Sequence, residues 1–150
     1  MLKYTVIPKE FFQESSAASI LSEVVSLGEN DTVQYKELPH FKAVLVYAGK
    51  ESRASEICEI VADSCAQDKF NKVVVRLKKA SIDIVVVAGM KLLLVNTFPA
   101  MDNVTREYFI FASLKQFQMN PAQTTVYFKG NVPYEIKADL FKYFTSVETI

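Results

Sequence analysis

One histidine, two cysteines and a net charge of zero leave this sequence short of what catalysis and nucleic-acid binding ordinarily use. Seventeen basic residues balance seventeen acidic ones, for an isoelectric point of about 6.6. That balance produces no long-range field to gather nucleic acid or anionic lipid, so neither partner is favoured. His40, in Leu38-Pro39-His40-Phe41, has no second histidine with which to share a transition metal. No G-x-S-x-G elbow is present to mount a nucleophilic serine. Cys58 and Cys65 fall on one predicted helix, about 10 Å apart along its axis, which excludes a disulfide within it. Both lie on the apolar stripe Ala54, Ile57, Cys58, Val61 and Cys65, so they read as small core residues. Free thiols suit a reducing, cytoplasmic location.

Long hydrophobic runs are also absent. The most apolar stretch, Ile82 to Val95, is interrupted by Asp83, Gly89 and Lys91, and a bilayer span needs roughly 20 apolar residues. The opening MLKYTVIPKEFF meets Pro8, Lys9 and Glu10 too soon to form the apolar core of an export signal.

What is present is a hydrophobic half of a 150-residue chain, with mean hydropathy +0.13. That is enough for one ordinary domain or two small lobes. Lys3 to Ile7 reads as a strand ended by Pro8, Phe11 to Leu27 as a helix stopped at Gly28, and Val33 to Leu38 and Phe41 to Ala48 as strands. Ser52 to Ala66 is the cysteine-bearing helix. Val73 to Lys78, Ser81 to Ala88 and Lys91 to Phe98 then form an antiparallel meander, whose second turn, Gly89-Met90, suits a type II′ hairpin. Asp102 caps a helix predicted to reach about Gln118, with apolar positions wide enough to predict burial on two sides. Strand Thr124 to Phe128, helix Tyr134 to Tyr143 and a final strand Thr145 to Glu148 complete the order. The predicted class is α/β: a ribonuclease H-like or actin-like ATPase-like lobe (β-β-β-α-β-α) over residues 71–150, preceded by a partial β-α-β-β-α lobe over residues 1–70. The boundary is expected between Gln67 and Asn71.

Several strings extend that analogy. They are Tyr4-Thr-Val-Ile-Pro8 with Glu10-Phe-Phe12, Leu38-Pro39 followed by Ala43-Val-Leu-Val-Tyr-Ala48, and Gly89-Met-Lys-Leu-Leu-Leu-Val-Asn-Thr-Phe98. Tyr108-Phe109 and Val126-Tyr-Phe-Lys-Gly130 follow at matching distances. Together they resemble an uncharacterised bacterial family with an actin-like fold, domain of unknown function 3822, over most of the chain. Members of that family carry about another hundred residues before the point matching Met1, roughly one small domain. The resemblance therefore implies a first lobe without its opening strands and an incomplete nucleotide cleft. Thr105 also stands where the family's Asp-x-x-Tyr-Tyr helix pattern has its acid.

The actin-like resemblance raises ATP binding and phosphoryl transfer, with a phosphate loop at the first hairpin of each lobe. In the second lobe that turn is Lys78-Lys79-Ala80-Ser81, which has neither the Asp for a metal nor the Gly for close backbone approach. Its lysines read equally as solvated edge protection. Gly130-Asn131 follows the strand after which the resemblance implies an adenosine-binding glycine, although a plain turn explains it as well. Lys79, Ser81 and Gly130 are thus the cofactor-binding candidates if a nucleotide binds; otherwise no cofactor or metal is expected. Asp83 is the one acid inside the meander, and a ribonuclease H-like metal site would need further carboxylates to converge on it. Glu107 is the only nearby one, and its helical position predicts solvent exposure. An Asp near a sheet edge, or paired with a lysine, is the plainer reading. Tyr35-Lys36 and Tyr127-Phe128-Lys129 have the make-up of base-stacking pairs, but so many aromatics in strands produce such pairs by chance.

The reading that best fits these residues is a non-catalytic interaction or scaffold protein on a degenerate actin-like framework. It would bind a protein partner, or itself as a homodimer, through a sheet edge or the helix from Val104 to Phe117. An ATP-binding phosphotransferase and an Asp83-dependent nuclease are the alternatives.

Overall fold

Continuous apolar runs and short turns dictate most of the strands, and the computed structural model describes every residue from Met1 to Ile150. Residue contacts divide the chain into two units, Met1–Ala62 and Asp63–Ile150.

In the first unit, strand β1 (Lys3–Pro8) is followed by a short helix α1 (Ala17–Ser22) and strands β2 (Val33–Leu38) and β3 (Ala43–Ala48). The sheet is antiparallel in the order β1-β3-β2. The central position of β3 explains its sequence: Ala-Val-Leu-Val-Tyr-Ala is buried at every residue, and Val44, Val46 and Ala48 pack against Ala17 and Leu21 of α1. The polar end of Tyr47 is satisfied by donation to Gln34 Oε1 at 2.8 Å.

The helix expected from Phe11 to Leu27 is mostly not there. Two single 3₁₀ turns, Lys9–Phe11 and Glu14–Ser16, precede the six residues of α1. Gln13 between them is extended, at φ −131°, and the Ser22 hydroxyl donates to the Ser19 carbonyl. Serines offer the backbone local bonds that compete with a helix, and only Ala17 and Leu21 gain burial from helical spacing. Pro39–Phe41 likewise forms a 3₁₀ turn, and Lys42 is left-handed at φ 50°, so β3 starts at Ala43 rather than Phe41.

Helix α2 (Glu51–Cys65) buries Ala54, Ile57, Ile60, Val61 and Ser64. This places the centre of the stripe beside the cysteines rather than on them. Cys58 and Cys65 are half-buried and free, and burial pushes both thiols up from their ordinary value.

The second unit holds β4 (Asn71–Leu77), β5 (Ser81–Ala88), β6 (Lys91–Pro99), α3 (Asn103–Lys115), β7 (Thr125–Phe128), α4 (Tyr134–Phe141) and β8 (Ser146–Thr149). Strand order is β6-β5-β4-β7-β8, with an antiparallel meander from β4 to β6 and with β7 and β8 running parallel to β4. On one face Val73, Val75, Ile82, Ile84, Val126 and Phe128 pack with Ile110 and Leu114 of α3 and Ile136 and Leu140 of α4. Each such side chain contributes about 2 kcal/mol through burial. Val74, Val85 and Val87 on the other face are buried as well, which is why these strands read as unbroken valine runs rather than alternations.

The β5–β6 hairpin turns at Gly89-Met90, closed by the Ala88–Lys91 pair. Gly89 has φ +62° and donates its N–H to the Phe70 carbonyl at 2.8 Å; a Cβ there would lie 2.7 Å from the Phe70 ring. A β-bulge opposite Val86/Val87 gives the edge strand β6 one unpaired residue.

The division by contacts falls inside α2, and the last turn of α2 is tied to the second sheet. Lys72 of β4 is 5% exposed and donates to the carbonyls of Ser64 at 2.6 Å and Gln67 at 2.8 Å. Lys129, just past β7, pairs with Asp63 at 2.9 Å. Lys72→Met keeps the apolar stem but leaves these helix-end carbonyls without a donor. It is expected to destabilise the chain by about 2 kcal/mol, seen as a lower urea midpoint at unchanged slope; an unaltered midpoint would mean that water replaces the ammonium.

Candidate functional site

Helices α3 and α4 cover one face of the second sheet, and the groove between their outer sides is the site that this unit presents. Asp102 starts α3 by accepting the Thr105 N–H at 2.7 Å, and that bond holds its carboxyl below the usual range. Against the expectation of burial on two sides, only Ile110, Ser113 and Leu114 of α3 are buried. Val104 and Tyr108 remain 78% and 64% exposed. With Phe111 they form an i, i+4, i+7 stripe along the helix, and all three line a groove of about 690 Å³. Tyr143, just past α4, forms the opposite wall and meets Phe111 edge to face, ring centres 5.4 Å apart.

A polar centre interrupts this apolar lining. Glu107 of α3 shares a hydrogen bond with Asp139 of α4, and Lys142 stands 3.6 Å from Asp139. Glu107 is half-buried rather than solvent-facing. Burial first, then the hydrogen bond and charge of Asp139, pushes its carboxyl from the ordinary 4.5 up to about 7. Lys142 opposes that rise and Glu135 adds to it.

The residues singled out for nucleotide or metal chemistry occupy other places. The β4–β5 turn is tight: Lys78 donates its N–H to the Ser81 carbonyl at 2.8 Å, with Lys79 and Ala80 exposed at the tip. The Arg106 guanidinium of α3 donates to the carbonyls of Lys78 at 2.9 Å and Lys79 at 3.5 Å, and the Ala100 N–H donates to that of Ala80 at 3.0 Å. So small a tip lacks the run of converging N–H groups that a phosphate cradle requires. Gly130 lies at the same end of the sheet, since Lys129 N–H bonds the Val75 carbonyl of β4. It is exposed at φ +86°, and a Cβ there would meet nothing within 4 Å, so no neighbouring wall confines it. Ser81 is half-buried at the start of β5.

Asp83 is fully buried on β5, one strand in from the edge, and accepts the Thr97 hydroxyl at 2.7 Å. Its cross-strand neighbour on β4 is Arg76, in place of the lysine anticipated. His40 is exposed in the Pro39–Phe41 turn of the first unit. No group of three or more His, Cys, Asp or Glu side chains is placed to hold a metal ion, and no helix is long and apolar enough to cross a membrane.

The family model for proteins of unknown function named DUF3822 matches residues 2–58 and 52–147. The chain belongs to this family. Among solved structures it is similar to a Bacteroides thetaiotaomicron protein with an actin-like ATPase fold and unknown function, at 22% identity and a TM-score of 0.82. That match covers 99% of this chain and 65% of the other. A second match, at 13% identity and a TM-score of 0.53, covers all of this chain and 66% of a chain in the PilM-PilN type IV pilus biogenesis complex. No curated protein matches the sequence. The DUF3822 member described here therefore has an actin-like α/β fold.

Glu107 gives the site a pH signature. Between about pH 4.5 and pH 7 the folded chain holds a proton that the unfolded chain has released, so this group's contribution to stability falls as pH rises through that window. Glu107→Gln is expected to flatten the urea midpoint across the window relative to the parent. Parallel curves for the two proteins would show that the carboxyl titrates as in free solution.

Proposed function

We propose that this chain is a non-catalytic interaction module on an actin-like framework, and that it engages a protein through the groove between α3 and α4. The observation that carries the reading is the exposure of Val104, Tyr108 and Tyr143, between 59% and 78%, around the groove between α3 and α4. Isolated exposed apolar side chains are ordinary, whereas several around one groove mark a surface that meets another. The likeness to a chain in the PilM-PilN complex supports it, since a protein of this fold occurs there in complex with another. The tight, carbonyl-clamped β4–β5 turn and the unwalled Gly130 point the same way, because they give a nucleotide little to bind.

Nucleotide binding at Lys79, Ser81 and Gly130 is the competing reading, and the two separate in one titration. With MgATP up to millimolar concentration the melting temperature is expected to stay constant, while light scattering reports whether the chain pairs with itself. Where it pairs, Tyr108→Ser combined with Tyr143→Ser is expected to return the mass to that of a monomer. A melting temperature that climbs with MgATP, and no longer climbs in Lys79→Ala, would replace the interaction reading with nucleotide binding.

A further inference from the structure

Resting on the interaction reading above, we infer that the α3–α4 groove receives a helical segment of a protein partner carrying a lysine or arginine among apolar side chains. The charge inside the groove selects the cation. Glu107 and Asp139 meet there, Glu135 acts on Glu107 from the same side, and Lys142 is the only ammonium lining it. The Lys142 side chain is 68% exposed and pairs at 3.6 Å with Asp139, itself 50% exposed, so it offsets that carboxylate at the rim and leaves the more buried Glu107 without a cation of its own. A carboxylate drawn away from water beside a second carboxylate needs either a proton or a positive partner. In the free chain a proton fills this role on Glu107; in the complex the partner's cation takes its place.

The surroundings fit the rest of such a segment. Tyr108 and Tyr143 supply phenol rings on either side of the carboxyls, a setting that favours guanidinium and ammonium groups. Val104 and Phe111 flank the same centre with apolar surface. The Val104–Tyr108–Phe111 stripe runs about 10 Å along α3, or two helical turns, which matches the spacing of apolar anchors on a helix laid into a groove. An acidic centre of this kind repels phosphate, which sets aside nucleotides and nucleic acid as occupants of the groove.

The test is an amide-resolved NMR titration of the whole ¹⁵N-labelled chain with n-propylguanidinium, the arginine side chain without its backbone, and with 1-pentanol as a neutral match. At about pH 8, guanidinium is expected to give saturable shifts at Glu107, Tyr108, Asp139 and Tyr143. At about pH 5.5 its affinity should drop roughly thirtyfold, because the cation must then displace the Glu107 proton. The double variant Glu107→Gln, Asp139→Asn should lose the guanidinium response; should that variant not fold, the pH comparison in the parent chain decides. Guanidinium shifts that are absent from the groove, independent of pH, or retained in the folded double variant overturn the proposal. Pentanol acting on the same amides as strongly as guanidinium removes the cation requirement while leaving an apolar docking groove. Failure of both probes to reach the groove removes the docking reading as well.

Discussion

The ammonium of Lys72 is the contact on which the second unit is assembled. A buried lysine is costly unless its donors are used, and here they meet carbonyls at a helix C-terminus, where partial negative charge collects. The bond joins the last turn of α2 to β4, the middle strand of five. The antiparallel meander extends from one side of β4 and the parallel strands from the other. Asp63 and Lys129 add a second tie from the same helix end to the strand next door. The strand from which both sheet halves extend is thus tied to the helix end, and its parallel neighbour is tied there too.

With one sheet face covered by α3 and α4, the outer sides of those helices remain free to specialise. The inner positions, Ile110, Leu114, Ile136 and Leu140, are apolar and dry. The outer ones combine aromatic rings with a carboxyl whose proton is held near neutral pH. A fully solvated Glu-Asp pair would ionise and separate. An apolar pocket alone would carry no preference of charge. The groove has both properties because Asp139 reaches it from a different helix than Glu107, so its chemistry exists only once the two helices are packed.

Sequence periodicity was a good guide where one physical effect dominated. The valine runs of β4 and β5, the Gly89-Met90 turn and the Asp102 cap each leave a local mark, and each element stands where that mark puts it. The reading failed where effects competed. Between Phe11 and Leu27 the apolar spacing suggested a helix, yet the serines and the extended Gln13 broke it into short turns. Along α3 the abundance of aromatics suggested two covered sides, because hydrophobicity cannot show whether a second surface is present to cover them. The solvent exposure expected of Glu107 fails for a similar reason: nothing near it in the chain announces the Asp139 that alters its proton affinity. The exposed stripe of Val104, Tyr108 and Phe111 was legible as spacing, but not as a groove.

The clamp on the β4–β5 turn has a bearing on how this protein can vary. Arg106 and the Ala100 N–H grip that turn through main-chain carbonyls, which every amino acid possesses, while the side chains of Lys79 and Ala80 face outward. The hairpin is thus specified from outside itself and makes little demand on the identity of its tip. Such a position can drift through many residues during evolution at little loss to the fold. In the laboratory it offers a natural attachment point for a fluorophore or an affinity handle.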